Sequence, residues 1–572
     1  MLKAFFVLIG FAIIGRLFTL QIVKHKEYLE IAERQQGKTL TVPSRRGTIY
    51  FQDKTGQLQA AALNREWPAV AAMPNIITDS ALASSLISTT LGISASTTEP
   101  IFLKKSDPFE IIARKIPKEK ADALDEAIRT TGIKGIQIFP EFRRFYPGET
   151  LGSNILGFVN FSNDVEVGQY GMERWFQDEL SGKVGIFSSL KDAGGNFLFL
   201  GRKIIKPSEH GDSIVLTIDQ NIQRKAEEEV ERIRKKWNAV SGLFLIMDPM
   251  TGKIIAMGAS PSFDPNVYSK EKDISVFKNP LIDSQYELGS IVKPVTMAAG
   301  INEKVVTPDT TYNDKGEVKI GTFTIKNYDL KAHGVQTMTQ VLEKSLNTGV
   351  IFVENLLGKE RFLSYLKKFG FGEKTGITFP GEARGNISNL NSMRDAEFAT
   401  ASFGQGIAVT PIQIATAVSA IANGGTLVQP HLVDMIKDDS GNSQKLEYPS
   451  KGTIISKEAA EAVTRMLVST VQNGFDNHAG IAGYFVAGKT GTAQVPYKDR
   501  KGYDPTRAIH SFVGYAPAFK PKFLMFLQLI EPKGVNFAST SLTPAFHAIG
   551  EYMLNYYEVP MDIEPSTAAK IR

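Results

Sequence analysis

The sequence predicts an α+β chain. One apolar N-terminal helix leads into an elongated non-catalytic domain, followed by an antiparallel sheet flanked by helices and joined to a helical subdomain. Three observations predict it. An uncharged run, Ala4 to Gly15, opens the chain. Strand patterns stand at both ends of residues 207–558, with helical patterns between them. The 572 residues exceed what one hydrophobic core holds.

The apolar run resumes after Arg16 through Leu17, Phe18, Leu20, Ile22 and Val23. About twenty residues at about 1.5 Å rise reach roughly the 30 Å of a hydrocarbon core. Residues 1–23 are therefore expected to form a transmembrane anchor. A cleaved signal peptide is the alternative, but no small-x-small cleavage site follows the run. Lys3 precedes the span and Lys24 and Lys26 follow it, so the positive-inside count leaves its orientation open. Arg16 either snorkels to the interface or faces a partner helix.

Residues 24–206 read as a second unit. A charged helical stretch, Lys24 to Gln36, precedes extended segments around Leu40–Tyr50. Helices with polar connections follow over 78–132, and 136–203 is rich in glycine and aromatics. A polar boundary, Pro207–Asp212, separates this from residues 207–558. There Ile214–Ile218 reads as a strand, and Asp219 can cap a helix running to about Lys236. Gly242–Asp248, a turn at Pro249–Gly252 and Lys253–Met257 read as a hairpin. Ser511–Ala516 and Phe523–Ile530 read as strands, and Thr543-Pro544 opens a terminal helix. Residues 559–572 read as a short tail.

Composition narrows the function. Apolar residues make up 42% and charged residues 22%, ordinary for a globular chain. The net charge of +5 is too weak to argue for nucleic-acid binding, and suits an anionic membrane surface or an acidic polymer equally. There is no cysteine, which excludes disulfides, thiol catalysis and cysteine-ligated metal. The seven histidines show neither metal spacing nor a triad pattern.

Chemistry enters through three motifs in order: Ser290-Ile-Val-Lys293, Ser345-Leu-Asn347 and Lys489-Thr490-Gly491-Thr492. Each recurs elsewhere. Ser-x-x-Lys is found also at Ser188, Ser269, Ser275 and Ser364, Ser-x-Asn at Ser440, and Lys-Thr-Gly at Lys54 and Lys374. Context separates them. Ser290 follows Gly289 and opens an apolar run with Pro294 in its first turns, which reads as a helix start. Lys489 sits in a strand-like stretch whose small residues let a ligand backbone approach, whereas Lys54 and Lys374 sit in turns. A lone Ser290 would be an ordinary helix cap; three motifs in fitting context argue against that.

The i, i+3 spacing puts Ser290 and Lys293 on one helix face. A serine hydroxyl needs a base, and Lys293 must then be neutral part of the time. Burial and a nearby cation, Lys489 by expectation, would lower its pKa. Ser345 can relay a proton, and Asn347 can hydrogen-bond the lysine and a substrate amide. Lys489 and Thr490 suit a substrate carboxylate. The backbone N–H groups of Ser290 and Thr492 suit an oxyanion hole.

These motifs resemble those of the class B penicillin-binding proteins, monofunctional D,D-transpeptidases of peptidoglycan synthesis. The resemblance extends through Arg46-Gly47-Thr48-Ile49, Arg143-Arg144-Phe145-Tyr146-Pro147 and Gly168–Glu173, and on through Ser402–Gly406 and Ser511–Pro517. Met297–Ile301, Val306–Tyr312 and Phe369–Gly376 look more like the septal branch than the elongation branch. Two departures stand out: Leu288 replaces the usual proline, and Leu346 the usual serine. The resemblance implies catalytic Ser290, Lys293, Ser345, Asn347 and Lys489, and substrate contacts from Thr490, Gly491 and Thr492. It implies cross-linking of stem peptides ending in D-Ala-D-Ala, covalent inhibition by β-lactams, and no metal or organic cofactor. It also implies a single-pass protein of the bacterial cytoplasmic membrane with an extracytoplasmic catalytic domain, docked on a membrane glycan polymerase. The competing readings are an elongation-type enzyme, a D,D-carboxypeptidase and a β-lactam-sensing receptor.

Overall fold

The computed structural model describes residues 2–24, 37–42, 44–162, 165–190, 203–474, 477–497, 499–500 and 502–563. The helix expected over 24–36 lies, but for Lys24, outside the described residues, as does 564–572 of the tail. The N-terminal α-helix, Leu2–Phe18, carries only Lys3 and Arg16 as charges and passes into a π-helical turn, Thr19–Val23. Thr19 Oγ1 donates to the Gly15 carbonyl at 2.7 Å where the geometry changes, the back-bonding that distorts helices at such residues. Among the described residues no helix is long and apolar enough to cross a membrane.

The hairpin and the late strands assemble into one five-stranded sheet. Its order is Ile254–Ser260, Ser241–Met247, Phe523–Ile530, Tyr503–Ala516 and Ala487–Pro496, with every neighbour antiparallel. Phe523–Leu529 is buried throughout, as a central strand covered on both faces must be. One face is covered by a cluster that includes Val230 of helix Gln220–Lys236, Phe512, and Phe546 of helix Thr543–Tyr556. The other meets a larger core holding Val295, Val350, Leu467 and Val513. Asp219 caps its helix as expected: Oδ1 accepts the N–H groups of Asn221 at 2.9 Å and Ile222 at 3.2 Å.

One expectation needs correction. The strand Ser213–Asp219 does not join that sheet. It lies between Val433–Lys437, antiparallel, and Ile49–Gln52, parallel, in a separate seven-stranded sheet. Its run Ile214–Ile218 is buried on both faces and suits an interior place. That sheet continues through Leu58–Ala72 to Glu110–Ala113 and Ile136–Phe145. Segments before and after residue 206 thus share one sheet.

The three N-terminal motifs converge on a buried ion cluster. Glu173 accepts Arg46 Nε and Arg144 Nε, both at 2.6 Å, and the Tyr146 hydroxyl at 3.1 Å. Arg46 Nη2 also reaches the Glu173 carbonyl at 2.8 Å, and Arg144 Nη1 the Gly47 carbonyl at 2.6 Å. Burial alone would raise the Glu173 carboxyl, but the two guanidinium groups hold it below its ordinary value. Gly168 is required here, because a Cβ on it would sit 1.9 Å from the Glu173 carbonyl oxygen.

Candidate active site

Ser290 enters the site on a 3₁₀ turn, Gly289–Val292, which runs into the α-helix Lys293–Asn302 with Pro294 in its first turn. The Lys293 N–H bonds the Ser290 carbonyl, an i→i+3 closure. In 3₁₀ geometry residues three apart eclipse, so Ser290 and Lys293 align more closely than the expected α-helix would place them. Ser290 is not an N-cap: Leu288 precedes the 3₁₀ turn and Val292 the α-helix. Gly289 has φ +62, and a Cβ on Gly404 would lie 2.3 Å from the Gly289 carbonyl, so this entry is tightly enclosed.

Lys293 is fully buried. Its Nζ donates to the Ser345 carbonyl at 2.5 Å, to Ser345 Oγ at 3.2 Å and to Asn347 Oδ1 at 2.8 Å. Burial, seconded by the Lys489 charge, holds its amine well below the ordinary lysine value. The motifs therefore meet in space, and the expected neighbour, Lys489, is the cation that acts on Lys293. Lys489 is itself 2% exposed.

Ser345 owes its position to a helix end. Met338–Glu343 closes with Ser345 at φ +53, in the left-handed region. The Ser345 N–H bonds the Leu342 carbonyl at 3.2 Å and the Leu346 N–H bonds the Val341 carbonyl at 2.9 Å, the paired bonds of a Schellman stop. Glycine normally takes this place; a serine there costs of order 1–3 kcal/mol, strain that accumulates at functional sites.

Lys489–Thr492 lie on the edge strand Ala487–Pro496, paired with Val513, Phe512, Ser511 and His510 in turn. The small size of Gly491 is also a packing requirement. A Cβ there would come within 2.6 Å of the Leu288 carbonyl, so Gly491 lets the nucleophile turn pack on the sheet. Ser290, Ser345, Lys489, Thr490 and Thr492 line a cleft of about 290 Å³, together with Glu343, Tyr328 and Phe537. Lys293 bonds the lining residue Ser345 and, from the same amine, Asn347. The Tyr328 and Phe537 rings meet edge to face at 6.3 Å and form an exposed aromatic rim. Sequence reasoning missed this rim.

A strand-edge Lys-Thr-Gly, a serine on a helix entry and a buried lysine behind it define a serine acyltransferase. One family model agrees with that chemistry, "Penicillin binding protein transpeptidase domain", which matches residues 242–551; a second, "Penicillin-binding Protein dimerisation domain", matches residues 41–216. The chain belongs to the penicillin-binding protein transpeptidase family. It is 32% identical to Stage V sporulation protein D of Bacillus subtilis, over 94% of this chain and 82% of that protein. It is 30% identical to the Peptidoglycan D,D-transpeptidase FtsI of Buchnera aphidicola, over 80% and 77%. Penicillin Binding Protein 2X from Streptococcus thermophilus shares the fold, with a TM-score of 0.77 at 23% identity over 91% of this chain and 81% of that one.

Proposed function

We propose that this chain is a peptidoglycan D,D-transpeptidase acting through a Ser290 acyl-enzyme, in septal wall synthesis. The observation that carries the reading is the buried Lys293 amine, bonded to Ser345 and Asn347 beside Lys489. Neutral Lys293 takes the Ser290 Oγ proton as Oγ bonds the carbonyl carbon of the penultimate D-Ala. The oxyanion rests on the Ser290 and Thr492 N–H groups. Collapse breaks the peptide C–N bond, and the departing amine of the terminal D-Ala receives the proton through Ser345. An acceptor amine then attacks the ester carbonyl and gives up its own proton through Ser345 and Lys293; the ester C–O bond breaks, Ser290 Oγ takes that proton, and the new amide is the cross-link. Lys489, Thr490 and Thr492 hold the terminal carboxylate of the donor. β-Lactams acylate the same oxygen.

The septal assignment is supported by the stretches around Met297–Ile301 and Phe369–Gly376 and by relatives named FtsI. Residues 1–23 serve as a membrane anchor, with helix Leu2–Phe18 extended by its π turn. Residues 24–206 act as a pedestal that docks a membrane glycan polymerase, 207–558 carry catalysis outside the cytoplasm, and 559–572 are a tail. The test supplies a lipid-linked pentapeptide precursor and a glycan polymerase. Cross-linked stem dimers should form, with released D-Ala largely matching new cross-links. Full D-Ala release without cross-links would make water the acceptor and the enzyme a carboxypeptidase. Protease treatment of spheroplasts should digest the catalytic domain of a membrane-bound protein; protection would reverse the topology.

A further inference from the structure

The helix that carries Asn347 begins without a cap of its own. Asn347–Leu357 is preceded by Leu346, a buried apolar residue that makes no side-chain cap bond. The N–H groups of a first helical turn need acceptors. Here they find one twenty residues upstream. Asn327 Oδ1 accepts the Asn347 N–H at 3.0 Å and the Thr348 N–H at 3.3 Å. It is a cap supplied from another segment, the loop between strands Phe323–Lys326 and Gly334–Thr337.

Asn327 is itself fixed. It is 1% exposed, and its Nδ2 donates to Asp314 Oδ1 at 3.1 Å and Oδ2 at 2.9 Å. Asp314, equally buried, also accepts the Gly316 and His333 N–H groups at 2.9 and 3.0 Å. Thr348 Oγ1 closes the circuit, donating to Asp314 Oδ1 at 2.7 Å. The neighbouring Lys326 carbonyl accepts Asn347 Nδ2 at 2.9 Å. That bond fixes which face of the amide is turned to Lys293, leaving Oδ1 to accept the Nζ proton.

We infer that Asn327, held by Asp314, is a positioning residue for the acylation machinery: it seats Asn347 and thereby orients the Lys293 amine. The inference rests on the catalytic reading of Lys293 and Asn347 given above. Neither Asn327 nor Asp314 lies in the three motifs.

The test measures acylation by a fluorescent penicillin on the full chain, separating the rate constant k2 from the dissociation constant of the non-covalent complex. Asn327→Ala should lower k2 about tenfold or more, since small misplacements of reacting groups are that costly, and leave the dissociation constant within about threefold. In an Asn347→Ala background, Asn327→Ala should add less than about twofold, because residues acting through one contact are not additive. Unchanged k2, or full additivity with Asn347→Ala, overturns the inference. Should Asn327→Ala not fold, Thr348→Val keeps the shape and removes the hydroxyl bond to Asp314. Its k2 should fall with the dissociation constant preserved, and a folded Thr348→Val protein with wild-type k2 is equally contrary. If the unsubstituted protein is not acylated at Ser290, it is the catalytic reading that fails, and the two outcomes are distinct.

Discussion

Lys293 Nζ donates to Asn347 Oδ1 at 2.8 Å across two separate helices, with the lysine completely enclosed. The contact ties the expected base to the second motif and leaves no bulk water around the amine. Burial first, and the Lys489 charge second, favour its neutral form. The protonated amine at low pH cannot act as base, so acylation should fall as pH drops through the lowered Lys293 ionisation. Removing the neighbouring charge with Lys489→Gln should move that acid limb to higher pH, since the charge is one of the two causes of the depression. Stopped-flow acylation across pH reads both effects. A limb that stays fixed in Lys489→Gln would show that Lys489 does not act on the base. The sign for stability runs the same way. The folded pKa lies below the unfolded one, so between the two the unfolded chain binds more protons, and this group's contribution to stability rises with pH.

Substitution of Lys293 should separate chemistry from packing. Lys293→Ala and Lys293→Met should each slow acylation by about a hundredfold or more, the scale of lost general-base help. Removal also has a packing cost, because the whole stem of this lysine lies inside the protein. Lys293→Ala should therefore melt below Lys293→Met, which refills most of the volume. Equal melting temperatures would mean the site collapses around alanine.

Glu173 carries two buried cations, Arg46 and Arg144. Glu173→Gln leaves them without their counter-charge, which should cost about 3–5 kcal/mol. Chemical denaturation should show the loss. A change below about 1 kcal/mol would mean that water reaches the cluster and screens it.

Glu227 accepts the Gly152 N–H at 2.8 Å and Gln223 Nε2 at 2.7 Å. Burial pushes its carboxyl up to about 7, although the residue keeps some exposure. A folded pKa above the unfolded value means the folded chain binds the extra proton. Its contribution to stability is present below the unfolded value and is lost as pH rises towards about 7. The ceiling is about 3 kcal/mol, less whatever solvent screens. Glu227→Gln keeps an acceptor for Gly152 and should flatten the stability profile between pH 4.5 and about 7. Parallel profiles for the two proteins would place the titration elsewhere.

Much of this was readable in the residues where the determinant is local. Asp219 and its helix, the Ser241–Ser260 hairpin, and strand Phe523–Ile530 follow from caps, turns and apolar periodicity. The site motifs were readable because their spacing is itself chemical. What escaped was non-local. Ser213–Asp219 finds its parallel partner, Ile49–Gln52, far back in the sequence, and no local pattern announces that pairing. The complete burial of Lys293 depends on helices packed from several segments. Asn327 and Asp314 form no motif; the one available signal was Leu346, an apolar residue where a helix needs a cap. The 3₁₀ entry at Ser290 was hidden because the i, i+3 pattern fits both helix types.

The central claim is that Ser290 is the acylated nucleophile. Intact-mass spectrometry after incubation with penicillin tests it most directly, on the unsubstituted chain and on Ser290→Ala. The account predicts one penicilloyl adduct on the first, mapped to the peptide containing Ser290, and none on the second. An adduct that persists in Ser290→Ala would contradict it.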